Sequence, residues 1–471
     1  VIRGTILYLN STSVEVPIKK NISIPKSCFE IMPTPLLKKY GVLISELSSS
    51  CCEVYFDSQL IREDWISAFL RYSLLETVPC VYEGVVDDDI IFEELPNLLD
   101  VPDYQVRSLL WKKIRICCTQ LDMEDHRFER EVNVRFDTIR ELMALCESDG
   151  DLLSSHGTLE DCLRLVEHVL FRPLPTPDHI KYNAAGVEIP FLDPNWDYIE
   201  LVHDFFLQII TCPQIRVDTL RQSITNTFIR NYLYLFFSQD ARERSVVRLG
   251  VHQLYGRLPR RRPLFRQVFG EMICNVILLH DRVTGIEEIL TVYSSIVCGF
   301  ARPMRKEHVR FLQHCLLPLH RLDRLVDFSS SLTRCLLLYI AQDGNLAPLI
   351  IRGILHYWPR SNTQNELLLI DEIEKIVQTM DGEQMASVIC PLLTRLRKCL
   401  LSQQFLIAQR VLKLWDNGDF AQVVLYHDKN RLYSWNFMFS SLQQIANNNW
   451  NKQVRESARH VMDLYLKLAG H

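Results

Sequence analysis

The fold class is decided by residues 198–210, which read Tyr-Ile-Glu-Leu-Val-His-Asp-Phe-Phe-Leu-Gln-Ile-Ile. Apolar side chains recur in this stretch with the period of an α-helix, so they share one stripe along its surface. The same period governs residues 286–297, 367–377 and 392–400. A helical period in every one of these segments predicts an all-α protein. The first stripe consists of Leu201, Val202, Phe205, Phe206 and Ile209.

Helical segments in this chain are short and follow one another closely. The chain has 471 residues and only 16 glycines, well below the usual share of about 7%. Helix pairs recur about every 40 residues, which is the period of HEAT and armadillo repeats. Asp240 is placed to cap a helix, Asp343-Gly344 to turn between two helices and Trp358-Pro359 to end one. We therefore predict a HEAT/armadillo-like α-solenoid over residues 91–471, interrupted by a surface loop at residues 172–194.

Residues 1–90 differ from the rest of the chain and are predicted to be a separate N-terminal extension. Residues 6–9 and 14–16 alternate weakly in the manner of strands, with turn signals at Asn10-Ser11 and Asn21. A helix-like piece follows at residues 64–75. The extension is therefore expected to be partly β, with no firm order assigned to it.

The composition argues against several classes of protein. Fifteen cysteines in 471 residues are too sparse for a disulfide scaffold, and no C-x-x-C motif is present. Most sit in apolar helical runs, so we expect buried free thiols and a cytoplasmic or nuclear location. No secretory signal and no apolar run long enough to span a bilayer is visible in the sequence. We expect a protein that acts away from membranes and nucleic acid.

Catalytic motifs are missing from the sequence. It contains no phosphate-binding glycine loop, no H-E-x-x-H and no G-x-S-x-G. His314 and His320 lack metal-ligand spacing and are interpreted as packed or capping residues, and Glu372 and Glu374 as solvated helix charges. A solenoid offers a long wall for proteins or peptides. Binding without catalysis, and without a cofactor or metal, is therefore predicted.

A cationic island interrupts this nearly neutral chain. Eight arginines lie between residues 242 and 266 against the single acid Glu243, although the formal net charge is −5. Such an island favours a short acidic or phosphorylated ligand over nucleic acid, which needs an extended basic field. A solvated helix face beside a basic loop is the competing interpretation. The arginines are Arg242, Arg244, Arg248, Arg257, Arg260, Arg261, Arg262 and Arg266.

Specific strings of residues occur in a fixed order from about residue 95 to the C-terminus. They lie at residues 194–196, 201–207, 238–244, 252–257, 299–303, 306–308, 316–320, 357–359, 411–417 and 450–451. In order and spacing these strings resemble the B-prime regulatory subunits of protein phosphatase 2A, of which this chain looks like a divergent member. Residues 1–90 show no such match.

The resemblance implies a pseudo-HEAT solenoid that docks on the phosphatase scaffold subunit and contacts the catalytic subunit. It also implies a concave groove that recruits substrate proteins carrying a Leu-x-x-Ile-x-Glu motif, with binding strengthened by phosphorylation. Hydrolysis would then belong to the partner subunit. The groove residues that the resemblance implies here are His252, Gln253, Tyr255, Arg262, Val292, Ile296, Arg305 and His308.

Each of these residue types suits the implied ligand. Val292 and Ile296 lie one helical turn apart and, with the ring of Tyr255, are expected to receive the isoleucine. Burying that side chain fully is worth about 1.5–3 kcal/mol. Arg262 and Arg305 can pair with a carboxylate or phosphate, and the guanidinium group can do so with two hydrogen bonds.

The chain departs from the family pattern in three respects. Gln253 stands where the family has an arginine, which is expected to weaken the response to phosphate. Val292 replaces an isoleucine, and residues 259–263 are more basic than the family pattern. A relative that keeps the fold but no longer binds the motif is one alternative. Others are a HEAT adaptor or transport-type scaffold without a phosphatase, and an enzyme acting through residues 1–90.

Overall fold

In the computed structural model the chain divides into two compact units, Val1–Tyr82 and Glu83–His471. Within these units the structure describes residues 7–9, 29–32, 41–46, 51–56, 95–118, 128–148, 157–174, 181–182, 188–279, 284–359, 361–426 and 428–469.

The first unit contains a four-stranded sheet. Its strands are β1 (Leu7–Leu9), β2 (Phe29–Met32), β3 (Gly41–Glu46) and β4 (Cys51–Phe56), in the order β1-β4-β3-β2. β1 pairs with β4 in parallel, whereas β2 with β3 and β3 with β4 pair antiparallel. The alternation at residues 6–9 thus falls on β1. The predicted strand at 14–16 and helix at 64–75 lie outside the described residues.

The second unit is built from α-helices joined by short turns, as the helical period predicted. In its described residues the exception is a short antiparallel pair, β5 (Lys181–Tyr182) and β6 (Glu188–Ile189), within the predicted loop at 172–194. The first ten helices are α1 (Asp103–Cys118), α2 (Glu129–Ser148), α3 (Thr158–Leu170), α4 (Trp196–Thr211), α5 (Val217–Ser223), α6 (Asn226–Tyr234), α7 (Ala241–Arg257), α8 (Arg262–Leu279), α9 (Ile286–Cys298) and α10 (Lys306–Phe311).

A further nine helices complete the second unit. They are α11 (Ser329–Gln342), α12 (Ala347–His356), α13 (Thr363–Val377), α14 (Gly382–Ala386), α15 (Ile389–Leu400), α16 (Phe405–Lys413), α17 (Gly418–Ala421), α18 (Asp428–Asn448) and α19 (Lys452–Ala469). Among the described residues no helix is long and apolar enough to cross a membrane.

The repeat period is visible in the hydrogen bonds between neighbouring helices. Arg244 and Glu288 are 44 residues apart and hydrogen-bond to each other, and so do Tyr293 and Tyr339, 46 residues apart. Arg397 and Ser441, near the other end of the unit, are separated by 44 residues. In each of these pairs a helix packs against its counterpart in the next repeat, which confirms the predicted solenoid.

The apolar stripes identified in the sequence form the core. Val202, Phe205, Phe206 and Ile209 of α4 are fully buried, while Leu201 lies half-buried at the edge of the stripe. Apolar burial is worth about 25 cal/mol per Å², so these apolar stripes stabilise the packing of adjacent repeats.

Helix ends follow the predicted punctuation. The side chain of Asp240 accepts a hydrogen bond from the backbone N–H of Arg242 and caps α7. The turn between α11 and α12 begins at Asp343, whose side chain accepts from Asn345. α12 ends at His356, shortly before Trp358-Pro359.

Two expectations about polar residues need correction or refinement. The prediction that Glu372 is a solvated charge is wrong, because it is 4% exposed and accepts hydrogen bonds from His320 and Thr333. Packing against the preceding repeat buries it. His320 is a packed residue, as predicted, with its Nδ1 2.7 Å from the carbonyl oxygen of Leu317.

The described cysteines are free thiols, but they are not uniformly buried. Cys315 and Cys335 lie in the core. Cys298 and Cys390 are exposed, and Cys274 is half-buried. The expectation that the helical cysteines are buried is therefore wrong for these three, because helical period alone does not tell which side of a stripe edge a residue occupies.

Candidate peptide-binding site

The predicted site residues lie on four consecutive elements. His252, Gln253 and Tyr255 occupy the last two turns of α7, and Arg262 begins α8 after a 3₁₀ turn, Pro259–Arg261. Val292 and Ile296 belong to α9, which packs against α7 and α11. Arg305 is the N-cap of α10 and His308 lies in its first turn.

Arg262 and Tyr255 form one contact pair. The Nε of Arg262 donates a hydrogen bond to the backbone carbonyl of Tyr255 at 3.1 Å. That carbonyl is one of the four at the end of α7 that lack a helical partner. The guanidinium group also lies 5.1 Å from the centre of the Tyr255 ring. Arg262 therefore holds the tyrosine by both its backbone and its ring, as a cation–π pair.

Arg266, which was not predicted as a site residue, connects this pair to α10. Its Nη1 donates to the hydroxyl of Tyr255 at 3.4 Å, and its Nη2 donates to Oε1 of Glu307 at 3.3 Å. The signal for it was present in the sequence, because Arg266 lies four residues after Arg262 and shares its helix face.

Glu307 is a second residue that sequence reasoning missed. Its Oε1 lies 3.3 Å from Arg266, 3.9 Å from Arg305 and 3.6 Å from Nε2 of His308. The Glu307 side chain is 54% exposed, so this carboxylate reaches solvent while touching three basic groups. The site therefore accommodates a carboxylate.

His308 lies on the buried side of the group formed by Arg266, Arg305 and Glu307, and neighbouring residues fix both its ring and its backbone. Its ring stacks on Phe300 with centroids 3.7 Å apart, and its backbone carbonyl accepts a hydrogen bond from Tyr339. Burial lowers the pKa of His308, and repulsion from Arg266 and Arg305 lowers it further, against the opposing effect of Glu307. The imidazole is therefore biased towards its neutral form.

The predicted apolar floor is nearly closed in the isolated chain. Val292 is 2% exposed and Ile296 is 5% exposed, because both belong to the buried stripe of α9. Tyr255 is half-buried, with its ring edge against Phe265. The accessible apolar surface of the site is thus mainly the ring of Tyr255.

His252 and Gln253 are exposed on α7. Their side chains face solvent just before Tyr255, and Gln253 brings no charge to this position. The exposed Arg305 carries its charge on the α10 side of the site. Cationic groups therefore concentrate at Arg262, Arg266 and Arg305.

Most arginines of the cationic island stabilise the fold through hydrogen bonds and ion pairs. Arg244 binds Glu288 at 2.8 Å, and Arg257 donates to the carbonyls of Cys212 and Ile215 just beyond the end of α4. Arg261 donates to the carbonyl of Arg221. The competing interpretation of a purely solvated face does not hold for these arginines, while Arg248 and Arg260 are exposed.

A buried ion network anchors the start of α7. Arg172 donates to Glu243 at 2.8 Å and to Asp193 at 2.9 Å, so both ends of the loop at 172–194 are tied to the solenoid. Burial opposes ionisation of Glu243, but contacts with His203 and Arg172 outweigh it and lower the pKa of Glu243 to about 2. The helix that carries Tyr255 is thereby fixed at its far end.

These features define a helical repeat protein with an accessible aromatic and cationic site. Across the described residues no cluster of histidine, cysteine or carboxylate side chains is suited to a metal ion. The family model described as "Protein phosphatase 2A regulatory B subunit (B56 family)" matches residues 95–470. The chain belongs to this family.

Three similar proteins of Arabidopsis thaliana are serine/threonine protein phosphatase 2A regulatory subunits. The 57 kDa B′ kappa isoform is 30% identical over 380 residues, covering 80% of this chain and 75% of the relative. The 57 kDa B′ alpha isoform is 28% identical over 381 residues, covering 80% and 76%. The 55 kDa B′ delta isoform is 29% identical over 379 residues, covering 79% and 78%. The predicted B-prime resemblance and the regulatory, non-catalytic class are confirmed.

Proposed function

We propose that this regulatory subunit docks on the scaffold and catalytic subunits of protein phosphatase 2A and recruits substrates through the α7–α10 site. The ligand is a short acidic or phosphorylated segment of the Leu-x-x-Ile-x-Glu type. The observation that carries the proposal is the position of Glu307, whose carboxylate touches Arg266, Arg305 and His308. A ligand carboxylate that displaced Glu307 would meet the same groups.

The acidic end of the ligand would bind between α8 and α10. Arg266 is only 19% exposed and is already oriented by Tyr255, so little side-chain entropy remains to be lost on binding. Arg305 is 71% exposed and free to follow the ligand. A guanidinium fork can bind a carboxylate or phosphate with two hydrogen bonds, which favours arginine over lysine for this role.

The apolar part of the ligand would pack on Tyr255. Contacts with the Arg262 guanidinium group and with the ring of Phe265 fix the orientation of the Tyr255 ring. Because Val292 and Ile296 expose so little surface, the isoleucine side chain gains less than the 1.5–3 kcal/mol or so expected for full burial. Affinity in this chain would therefore rest more on the arginines than on the floor.

The exposed side chains of His252 and Gln253 would contact the part of the ligand that precedes its isoleucine in sequence. A phosphate there meets no formal charge from Gln253, so phosphorylation is expected to add less affinity than an arginine would allow. The site would thus read mainly the isoleucine and the following acid.

Docking and recruitment call for separate experiments. For docking, the chain is mixed with purified scaffold and catalytic subunits and run through size-exclusion chromatography. Co-elution of all three in one peak is expected, and elution of this chain alone would contradict a docking role.

For recruitment, a fluorescent Leu-x-x-Ile-x-Glu peptide is titrated with the full chain while anisotropy is measured. Saturable binding is expected. Replacing the peptide's isoleucine by alanine should weaken it, and replacing its glutamate should weaken it more. A chain that forms the trimer but ignores the peptide would be a relative that has lost motif binding.

A further inference from the structure

Two thiols on neighbouring elements of the solenoid lie in contact. Cys274 belongs to α8, and Cys315 to the π-helical segment Leu312–Leu316 that continues α10. Their Sγ atoms are 3.7 Å apart. Cys315 is 7% exposed, whereas Cys274 is half-buried. One thiol is thus partly accessible, with the second directly behind it, as in a pair made of an attacking and a resolving cysteine.

Gly270 helps to keep the two elements close. It lies one turn before Cys274 and faces the same neighbour. A Cβ atom at this position would already touch Phe311 at 3.4 Å and the sulfur of Cys315 at 3.6 Å. A larger side chain would push α8 away from the segment at 312–316, so glycine preserves the contact between the thiols.

The two sulfur atoms have unequal environments. The hydrogen bond with Cys315 lowers the pKa of the Cys274 thiol, against the effect of burial. The same hydrogen bond, together with burial, raises the pKa of Cys315. The more accessible sulfur is therefore also the better source of thiolate, which is the reactive form.

We propose that Cys274 and Cys315 are a dithiol modification site that a peroxide oxidises to a disulfide. The Cys274 thiolate attacks one oxygen of hydrogen peroxide, and the O–O bond breaks. The hydroxide that leaves combines with the proton that the Cys274 thiol gave up on ionising, and forms water. The resulting sulfenic acid is attacked by Cys315, which loses its proton. The S–O bond then breaks, an S–S bond forms and a second water departs. Two electrons pass from the sulfurs to the peroxide.

The movement required is small. The sulfurs need to approach by about 1.6 Å to reach the S–S bond length of about 2.05 Å. Rotation of the two side chains and a slight shift of the π-helical segment can supply it. The bond would join α8, which carries Arg262 and Arg266, to the continuation of α10, which carries His308. This proposal does not rest on peptide binding.

A second thiol pair provides an internal comparison. Cys212 donates to the backbone carbonyl of Cys146, with its sulfur 3.8 Å from that oxygen. Burial, and then contact with Cys212, raise the pKa of Cys146. Cys146 is 2% exposed and Cys212 is 7% exposed, so neither sulfur meets solvent readily. Peroxide should therefore leave this pair reduced under conditions that oxidise Cys274.

The native full chain is treated with hydrogen peroxide, its remaining thiols are blocked with iodoacetamide under denaturing conditions, and its peptides are mapped by mass spectrometry without reduction. The expected result is one linked peptide pair containing Cys274 and Cys315, with the loss of two alkylatable thiols at those positions and their return after dithiothreitol. The Cys146 and Cys212 peptides should stay unlinked. Oxidation of the exposed Cys298 and Cys390 is followed separately, on the peptides that contain them.

Two variants separate the chemistry from effects on folding. In Cys315→Ser, Cys274 should proceed to sulfinic acid because the resolving thiol is missing. In Cys274→Ser, Cys315 should stay a free thiol after peroxide treatment and should react with iodoacetamide only once the chain is denatured. Recovery of Cys274 from the unmutated chain as sulfenic or sulfinic acid, without a linked peptide, would overturn the proposal. So would formation of the Cys146–Cys212 bond first.

Discussion

Arg266 donates a hydrogen bond to Glu307 at 3.3 Å while its other terminal nitrogen donates to Tyr255 at 3.4 Å. One side chain thus connects α7, α8 and α10 at the candidate site. The Glu307 carboxylate is half-exposed, so solvent screens the ion pair and keeps its net contribution small, about 0.2–1 kcal/mol. We interpret Glu307 as an internal competitor for the ligand's acid.

Replacing Glu307 by glutamine should therefore strengthen binding of a Leu-x-x-Ile-x-Glu peptide. Removal of the competing charge leaves Arg266 and Arg305 available, and the pair energy corresponds to a Kd about 1.4- to fivefold lower. Fluorescence anisotropy at low and high salt measures the change, which should be larger at low salt.

Glu271→Gln is the matched control for this variant. It removes the same charge from α8, where Glu271 pairs with Arg230 instead of a site residue. Equal tightening in both variants would attribute the effect to net charge and argue against competition by Glu307.

Tyr255→Ala and Arg262→Ala should each weaken the peptide at least tenfold, or about 1.4 kcal/mol. The first removes the accessible ring, and the second removes the cation that holds it. Tyr255→Phe keeps the ring and loses only the long hydrogen bond from Arg266, so its effect should be much smaller. Isothermal calorimetry gives the affinities and circular dichroism checks the fold. Unchanged affinity in both alanine variants would remove the site assignment.

Gln253→Arg should favour phosphorylated ligands. The position is exposed on α7, so the new guanidinium can reach a phosphate without a burial cost. The variant is expected to tighten a phosphorylated peptide more than its unphosphorylated form, measured as the ratio of the two Kd values. A ratio identical to that of the unmutated chain would place the phosphate elsewhere.

Glu243→Gln should destabilise the solenoid in a pH-dependent way. The usual glutamate pKa of 4.5 falls to about 2 in the folded chain. The ionised group therefore stabilises the fold fully above pH 4.5, and this contribution is lost as the pH falls towards 2. Arg172 would keep Asp193 but lose its buried carboxylate partner, at a cost of about 3 kcal/mol at pH 7.

The midpoint of urea unfolding at a series of pH values tests this expectation. The variant should unfold at lower urea than the unmutated chain at pH 7, and the gap should narrow below pH 4.5. Glu287→Gln, which removes a charge from an exposed position of α9, should leave the midpoint nearly unchanged. A gap that stays constant over the whole pH range would exclude ionisation of Glu243 as its cause.

The site was predictable only in part. Strings of residues pointed to Tyr255, Arg262, Arg305 and His308, and the structure connects these four through Arg266 and Glu307. Whether they bind a peptide stays a prediction, as do the roles of His252 and Gln253. The near-complete burial of Val292 and Ile296 could not be predicted, because helical period assigns a residue to a stripe without telling whether the stripe's edge is covered.

The sequence by itself determined the helical elements, the repeat period and the family, because these depend on the spacing of residues within a helix and on short strings. Only the tertiary structure decided which charges pair. Arg172 and Glu243 are 71 residues apart, and Arg266 and Glu307 are 41 apart. The stacking of repeats brings each pair together, and the burial that accompanies stacking sets how strongly its members interact.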